Sequence, residues 1–250
     1  MTRQGFLILD ILRSARDALI SFLRFRYSIK EVIRQLYEFG VESIGIIVLC
    51  ITFMGIIIIL EYSYHMKIVL GNDSLIPSFA MIMLARELAP AVTALLLTSK
   101  MGASIAAELG AMKTTEQLDA YRLLGLNPVD LFVTPRVIAS ALATTALAFI
   151  SLFIAVLGAW FAAITVLNFS SGDFFQSLMV FLKPGDFYLC AIKAFGFGAS
   201  IPIISAALGF RCKFGAEGVG LATTDAVVTN SIWIIILDFV ITYFYSVFAG

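Results

Sequence analysis

The stretch that decides the fold runs from Leu84 to Pro128: "LARELAPAVTALLLTSKMGASIAAELGAMKTTEQLDAYRLLGLNP". It opens inside an apolar run long enough to cross a bilayer. Yet Arg86 and Glu87 stand side by side in that run, and Pro90 follows three residues later. Its second half turns polar and closes on a short amphipathic segment. The sequence thus places a charged pair and a helix breaker in hydrocarbon, and a small charged helix at the far end.

Composition settles the solvent. Hydrophobic residues make up 60% of the 250, charged residues 14%, and mean hydropathy is +0.98. Soluble domains carry about a quarter charged residues. Only helices and closed barrels satisfy their backbone in lipid, and the apolar runs here do not alternate, so helices are expected. The fold class is an all-α integral membrane protein. A net charge of zero gives no electrostatic footprint for nucleic acid. Cys50, Cys190 and Cys212 lie in or beside apolar runs without metal-ligand spacing and read as small hydrophobes.

Working outward, residues 5–26 place Phe6, Leu9, Leu12, Leu19, Phe22 and Leu23 among charges, the pattern of a helix lying in the membrane interface. Asp10, Arg13, Arg16 and Asp17 interrupt any signal-peptide core. Spans are expected at about 41–60, 79–98, 137–167, 187–210 and 227–248. The lead-in "IRQLYEFG" extends the first, and the third run exceeds the ~20 residues a span needs. A short outer helix is expected around Phe174, Phe175, Leu178 and Phe181. The whole chain reads as one domain, with 1–40 as interfacial helix and lead-in and 41–250 as the bundle.

Basic residues orient it. With the N-terminus cytoplasmic, that side holds Arg3, Arg13, Arg16, Arg24, Arg26, Lys30, Arg34, Lys100, Lys113, Arg122, Arg136, Arg211 and Lys213. The other side holds Lys67 and Lys183. The C-terminus is then periplasmic.

Enzyme signatures are missing. His65 is the one histidine, so a HExxH zinc site is impossible, and no catalytic or metal-binding set is assigned. The sequence has no GxxxxGK[ST] phosphate loop, so any ATP and Mg would act through a partner. Ionisable residues inside spans carry the functional interest, because each costs at least ~2.5–3.5 kcal/mol when unpaired at the centre. Arg86, Glu87, Lys193 and Asp238 fall at similar depth, and Lys193 with Asp238 is the expected ion pair. Arg86 and Glu87, about 100° apart on a helix, cannot share a partner, so one of them is expected to face a cavity. Pro90 removes a backbone bond beside them.

Beyond the span, Thr114 and Gln117 form a T-x-x-Q capping box, and Gly125 and Pro128 supply a stop. The helix between them, about ten residues long, carries a Leu118, Tyr121, Leu124 stripe, with Glu116, Asp119 and Arg122 in water. Gly102, Ala103, Ala106, Ala107, Gly110, Gly196, Gly198 and Ala199 permit tight packing against another copy or subunit.

The motif R-E-L-x-P, then A-E-L-G-x-M-x-x-T-E-Q-L, then P-x6-P-R ending at Arg136, resembles the MlaE/YrbE family of ABC-transporter permeases. The likeness extends to "IRQLYEFGVESI", Lys193 and "LDFVIT". It implies a homodimeric permease in a bacterial inner membrane. Such a permease pairs with a separate ATP-binding cassette ATPase and an MCE-domain protein and moves phospholipids or related lipids. It implies an interfacial helix, five spans and a coupling helix between the second and third. By this likeness Glu108, Thr114, Glu116, Gln117, Asp119, Tyr121 and Arg122 belong to the coupling region. Glu87, with Arg86 and Pro90, lies by the lipid cavity, and Phe53, Ile57 and Tyr62 are further lining residues. Against it stands a proton-coupled secondary transporter using the intramembrane carboxylates, for which the inverted repeats and paired broken helices of such folds are missing. A membrane scaffold without transport is the third alternative.

Overall fold

The computed structural model describes residues 3–24, 27–69, 75–178, 180–213 and 215–249. Arg26 lies outside the described residues, as do the side chains of Arg3, Phe6, Leu9 and Lys67. The helices are α1 (Arg3–Leu23), α2 (Ile29–Phe39), α3 (Ile44–Val69), α4 (Ile76–Thr114), α5 (Gln117–Leu123), α6 (Val129–Thr165), α7 (Ser171–Leu178), α8 (Pro184–Phe210) and α9 (Ala216–Ala249). Five segments are long and apolar enough to cross a membrane: α2 with α3, then α4, α6, α8 and α9. The 37 residues of α6 form one helix. At ~1.5 Å per residue it measures about 55 Å, far beyond a ~30 Å hydrocarbon core, so it projects from the bilayer rather than bending back. The second span is likewise longer than its apolar run, because "GASIAAELGAMKT" continues the same helix to Thr114.

Helix α1 lies against the bundle by its small residues. Ser14, Ala18 and Ser21, spaced along one face, are buried, while Leu12, Leu19, Phe22 and Leu23 are exposed. The helix is thus docked on protein by one side and presents exposed apolar residues on the other. α7 forms where expected, with Phe174 and Leu178 buried and Phe181 packed on Phe79 at 5.4 Å.

The spans approach one another through glycines and hydroxyls. α3 packs on α6, and α8 packs on α6, α9 and α4. A side chain at Gly55 would strike the Ala155 carbonyl, and one at Gly158 would sit 2.7 Å from the Thr52 carbonyl. At Gly198 it would lie 2.6 Å from the Ser140 carbonyl on α6. Thr93 and Ser151 join α4 to α6 at 2.8 Å, and Asn230 donates to Ser205 at 2.8 Å between α9 and α8. Small residues let membrane helices touch backbone to backbone, where dispersion and hydrogen bonds replace the missing hydrophobic drive. Several of the small residues flagged in the sequence meet neighbours within this chain. Gly102 faces Ser205 and Asn230, Gly110 faces Cys212 and Val219, and Ala106 is fully buried.

Gly55→Ala forces α3 away from α6 and is expected to lower stability by about 1–3 kcal/mol, read as a reduced melting temperature in detergent. Gly45→Ala on the same helix, with nothing within 4 Å of the new carbon, leaves the melting temperature unchanged or raises it.

Candidate functional site

The charged residues of the spans converge on Lys193. Pro90 explains how. Its ring carries no N–H, so the carbonyl of Arg86, four residues earlier, loses its helical donor. Over Leu84–Leu88 the helix relaxes into a π-type turn, in which the Ala89 N–H reaches back to the Leu84 carbonyl. Such bulges gather at functional sites. Lys193, fully buried on α8, supplies the missing donor: its Nζ donates to the Arg86 carbonyl at 2.8 Å. The same ammonium donates to Glu87 Oε2 at 2.6 Å and lies 2.8 Å from Asp238 Oδ1 on α9. One lysine therefore ties the second, fourth and fifth spans together within the membrane.

Arg86 points elsewhere, as the angular offset between neighbouring helix positions requires. Its Nε donates to Asp186 Oδ1 at 2.7 Å, and its guanidinium lies 5.6 Å from the Tyr245 ring centroid. Asp186 is fully buried and accepts the Lys183 N–H at 2.9 Å, so it also caps the start of α8. Thr242 on α9 completes the set, donating to Glu87 Oε1 at 3.3 Å. Three carboxylates, Glu87, Asp186 and Asp238, thus share two cations. Glu87 and Asp238 retain 28% and 24% side-chain exposure and Arg86 34%, so the network is buried on its α8 side and open on its other.

The expected Lys193–Asp238 pair is present, but it is one arm of a larger set. Asp186, Thr242 and Tyr245 carried no signal as spanning charges; only the position of Asp186 two residues after Pro184, at the third position of a helix start, pointed to it. Pro90 is buried beside the network. Phe53 and Ile57 are exposed on α3, and Tyr62 packs partly into the core. The hydrogen bonds and ion pairs of Glu87 to described residues come from α8 and α9, and none of these three residues joins them.

At the other end of α4 the capping box does not form. Thr114 ends α4, its Oγ1 donating back to the Ala111 carbonyl at 2.9 Å, and Thr115 does the same at 2.9 Å. A threonine hydroxyl in a last helical turn has that carbonyl within reach, and the local bond wins. Glu116, at φ +60°, precedes α5 without a side-chain cap, and α5 has seven residues rather than about ten. The stop is as expected. Gly125 at φ +73° turns the chain, with Leu126 N–H on the Tyr121 carbonyl and Gly125 N–H on the Arg122 carbonyl, a Schellman closure. The apolar stripe is shorter than expected. Leu118 is buried and Tyr121 packs edge-on against Phe132, but Leu124, at the cap, is 74% exposed beside Leu123 at 90%.

Asp119 holds this short helix to α4, accepting from Lys113 at 3.0 Å and from Arg122 at 2.8 Å. The Lys113 hydrogen bond, reinforced by both cations, keeps its carboxyl below the usual range despite some desolvation. Gln117 opens α5. Glu108 lies in α4 itself, where Arg136, buried at the base of α6, bonds it at 2.5 Å. The pair clamps the two helices from which the α5 turn is hung.

Five helices long and apolar enough to span, an ion network between them and a small helix closing the turn between the second and third define a multi-pass membrane protein. Residues 32–244 match the family described as Permease MlaE. A probable ABC transporter permease protein of Rickettsia prowazekii is 37% identical over 211 residues, covering 84% of this chain and 81% of the relative. One from Synechocystis is 33% identical, covering 90% and 85%. The Arabidopsis protein Trigalactosyldiacylglycerol 1, chloroplastic, is 33% identical, covering 94% and 67%. The chain belongs to the MlaE permease family of ABC transporters, and that membership takes the place of the proton-coupled alternative.

Lys193→Met leaves two carboxylates and a backbone carbonyl without their donor. It is expected to cost about 3–5 kcal/mol, measured as loss of thermal stability in detergent. Adding Glu87→Gln and Asp238→Asn recovers most of that loss. A single Lys193→Met variant as stable as the parent contradicts the assignment.

Proposed function

We propose that the chain is the permease subunit of an ABC transporter that moves phospholipids or related lipids between a bacterial inner membrane and an MCE-protein assembly, driven by a separate ATPase subunit. It acts as a pair of identical copies, with the N-terminus and α5 cytoplasmic and the C-terminus periplasmic. α5, with its exposed Leu123 and Leu124 and its Glu116, Asp119 and Arg122, is the part an ATPase grips. ATP and Mg belong to that partner. Glu108 and Arg136 carry the movement of α5 into the spans, because they join the helices on either side of it.

The observation that carries the lipid assignment is the half-open carboxylate of Glu87 inside the membrane. Its Oε2 is held by Lys193, Oε1 takes a 3.3 Å contact from Thr242, and the side chain stays 28% exposed. A polar group exposed at membrane depth without full pairing is expensive, and a lipid headgroup would complete it while acyl chains lie along exposed apolar helix faces. α9 has little buried surface of its own, with Ile232, Ile236, Phe239 and Tyr243 exposed. This supports its lying against lipid or a second copy. Phe53 and Ile57 on α3 are the further candidates for acyl contact. The Arabidopsis relative bears the name of a diacylglycerol lipid, which agrees with such a cargo.

Glu87→Gln and Glu87→Ala, reconstituted with the ATPase subunit in vesicles, are expected to lower lipid transfer at least tenfold and to reduce co-purifying lipid. Unchanged transfer with unchanged lipid content would rule out this role for Glu87.

A further inference from the structure

Away from the Lys193 network, a cleft lies between the end of α1 and the turn that opens α6. It is lined by Asp17, Ile20, Ser21, Arg24, Asn127 and Asp130 and has a volume of about 120 Å³. A single water needs roughly 10–15 Å³, so the cleft has room for a small organic group. It sits on the membrane side that carries α5, at the far end of α4 from Glu87.

Its charges are of both signs and do not cancel each other. Arg24 has no side-chain partner among the described residues. Among the described residues the Asp130 side chain takes only the Asn127 side-chain amide, at 3.3 Å. Asp17 is bonded at 2.9 Å by Arg16, which is 69% exposed, and such surface pairs are worth little. Opposite charges that line one cleft without closing it into a salt bridge suit a ligand carrying both signs. The surroundings set the rest of the chemistry. Ile20 lines the cleft, and Leu19 and Leu23 beside it are 58% and 66% exposed on a helix whose mixed apolar and charged pattern is that of an interfacial helix. The ligand is therefore amphipathic and comes from the bilayer.

We propose that this cleft binds the zwitterionic headgroup of an aminophospholipid, its phosphate on Arg24 and its primary ammonium on Asp130 and Asp17. A primary ammonium offers three N–H donors to carboxylates, whereas a choline headgroup offers none. An anionic headgroup without an amine leaves the two carboxylates unanswered. Bound there, the headgroup bridges α1 to the turn that follows α5, so the leaflet on that side fastens the interfacial helix to the base of α6. The site is separate from Glu87 and does not depend on the transport reading.

Hydrogen–deuterium exchange of the full chain in nanodiscs tests it. Discs of phosphatidylcholine are compared with discs doped with phosphatidylethanolamine or with phosphatidylglycerol. Phosphatidylethanolamine is expected to slow exchange severalfold across 17–24 and 127–133, and phosphatidylglycerol is not. Arg24→Gln and Asp130→Asn each abolish that slowing, while exchange around 84–90 stays as in the parent. Equal protection by phosphatidylglycerol, or protection that survives both substitutions, overturns the proposal. Soluble phosphoethanolamine added to phosphatidylcholine discs is expected to have no effect; full protection by it overturns the lipid as the source. Lipid transfer is not read, so this outcome is independent of the Glu87 experiment.

Discussion

One buried ammonium organises the membrane half of this protein. Pro90 withdraws a backbone donor at a depth where water cannot replace it, and the orphaned Arg86 carbonyl must find another. Lys193 provides it and in the same stroke pairs with both Glu87 and Asp238. A lysine alone in hydrocarbon is costly, and so is a carboxylate. Each is tolerated here because the other is present, and the geometry that joins them fixes the registry of α4, α8 and α9. The bulge at Leu84–Leu88 follows from the same cause, since the helix must widen to turn that carbonyl toward α8.

The two ends of α4 do different work. Toward Glu87 the helix is interrupted, polar and partly open. Toward Thr114 it passes a second π-type turn at Thr98–Gly102, runs regularly from Ala103, is closed by small residues against α8 and α9, and is clamped to α6 by Glu108 and Arg136. The stretch that carries α5 and the stretch that carries the Glu87 carboxylate belong to one continuous helix, so displacement of the short helix reaches the charged network through a single element. Thr93 with Ser151 couples that element to α6 partway along.

Much of this was legible in the sequence. Long unbroken apolar runs fixed five spans, and the mixture of apolar and charged residues before Tyr27 marked a helix lying flat. Lys193 and Asp238 could be paired by depth alone. The lysine's full set of partners could not, because the demand created by Pro90 falls on a carbonyl, and no side-chain pattern records it. Asp186 was hidden for a related reason: as a residue of a helix's first turn it looks like loop chemistry, and only the crossing of α4 and α8 brings Arg86 to it. The T-x-x-Q box failed because Thr114 belongs to the helix that ends rather than the one that begins. Local hydroxyl-to-carbonyl bonds and caps compete for the same side chain, and the length of α4 decides between them.

The most direct test is an electron cryo-microscopy map of the full chain in lipid nanodiscs, at a resolution that separates side chains. The account predicts the Lys193 side chain in contact with the Arg86 carbonyl, Glu87 and Asp238 together, with a widened turn just before Pro90. A Lys193 side chain turned to lipid or to an aqueous path, beside a regular helix at Arg86, would contradict it.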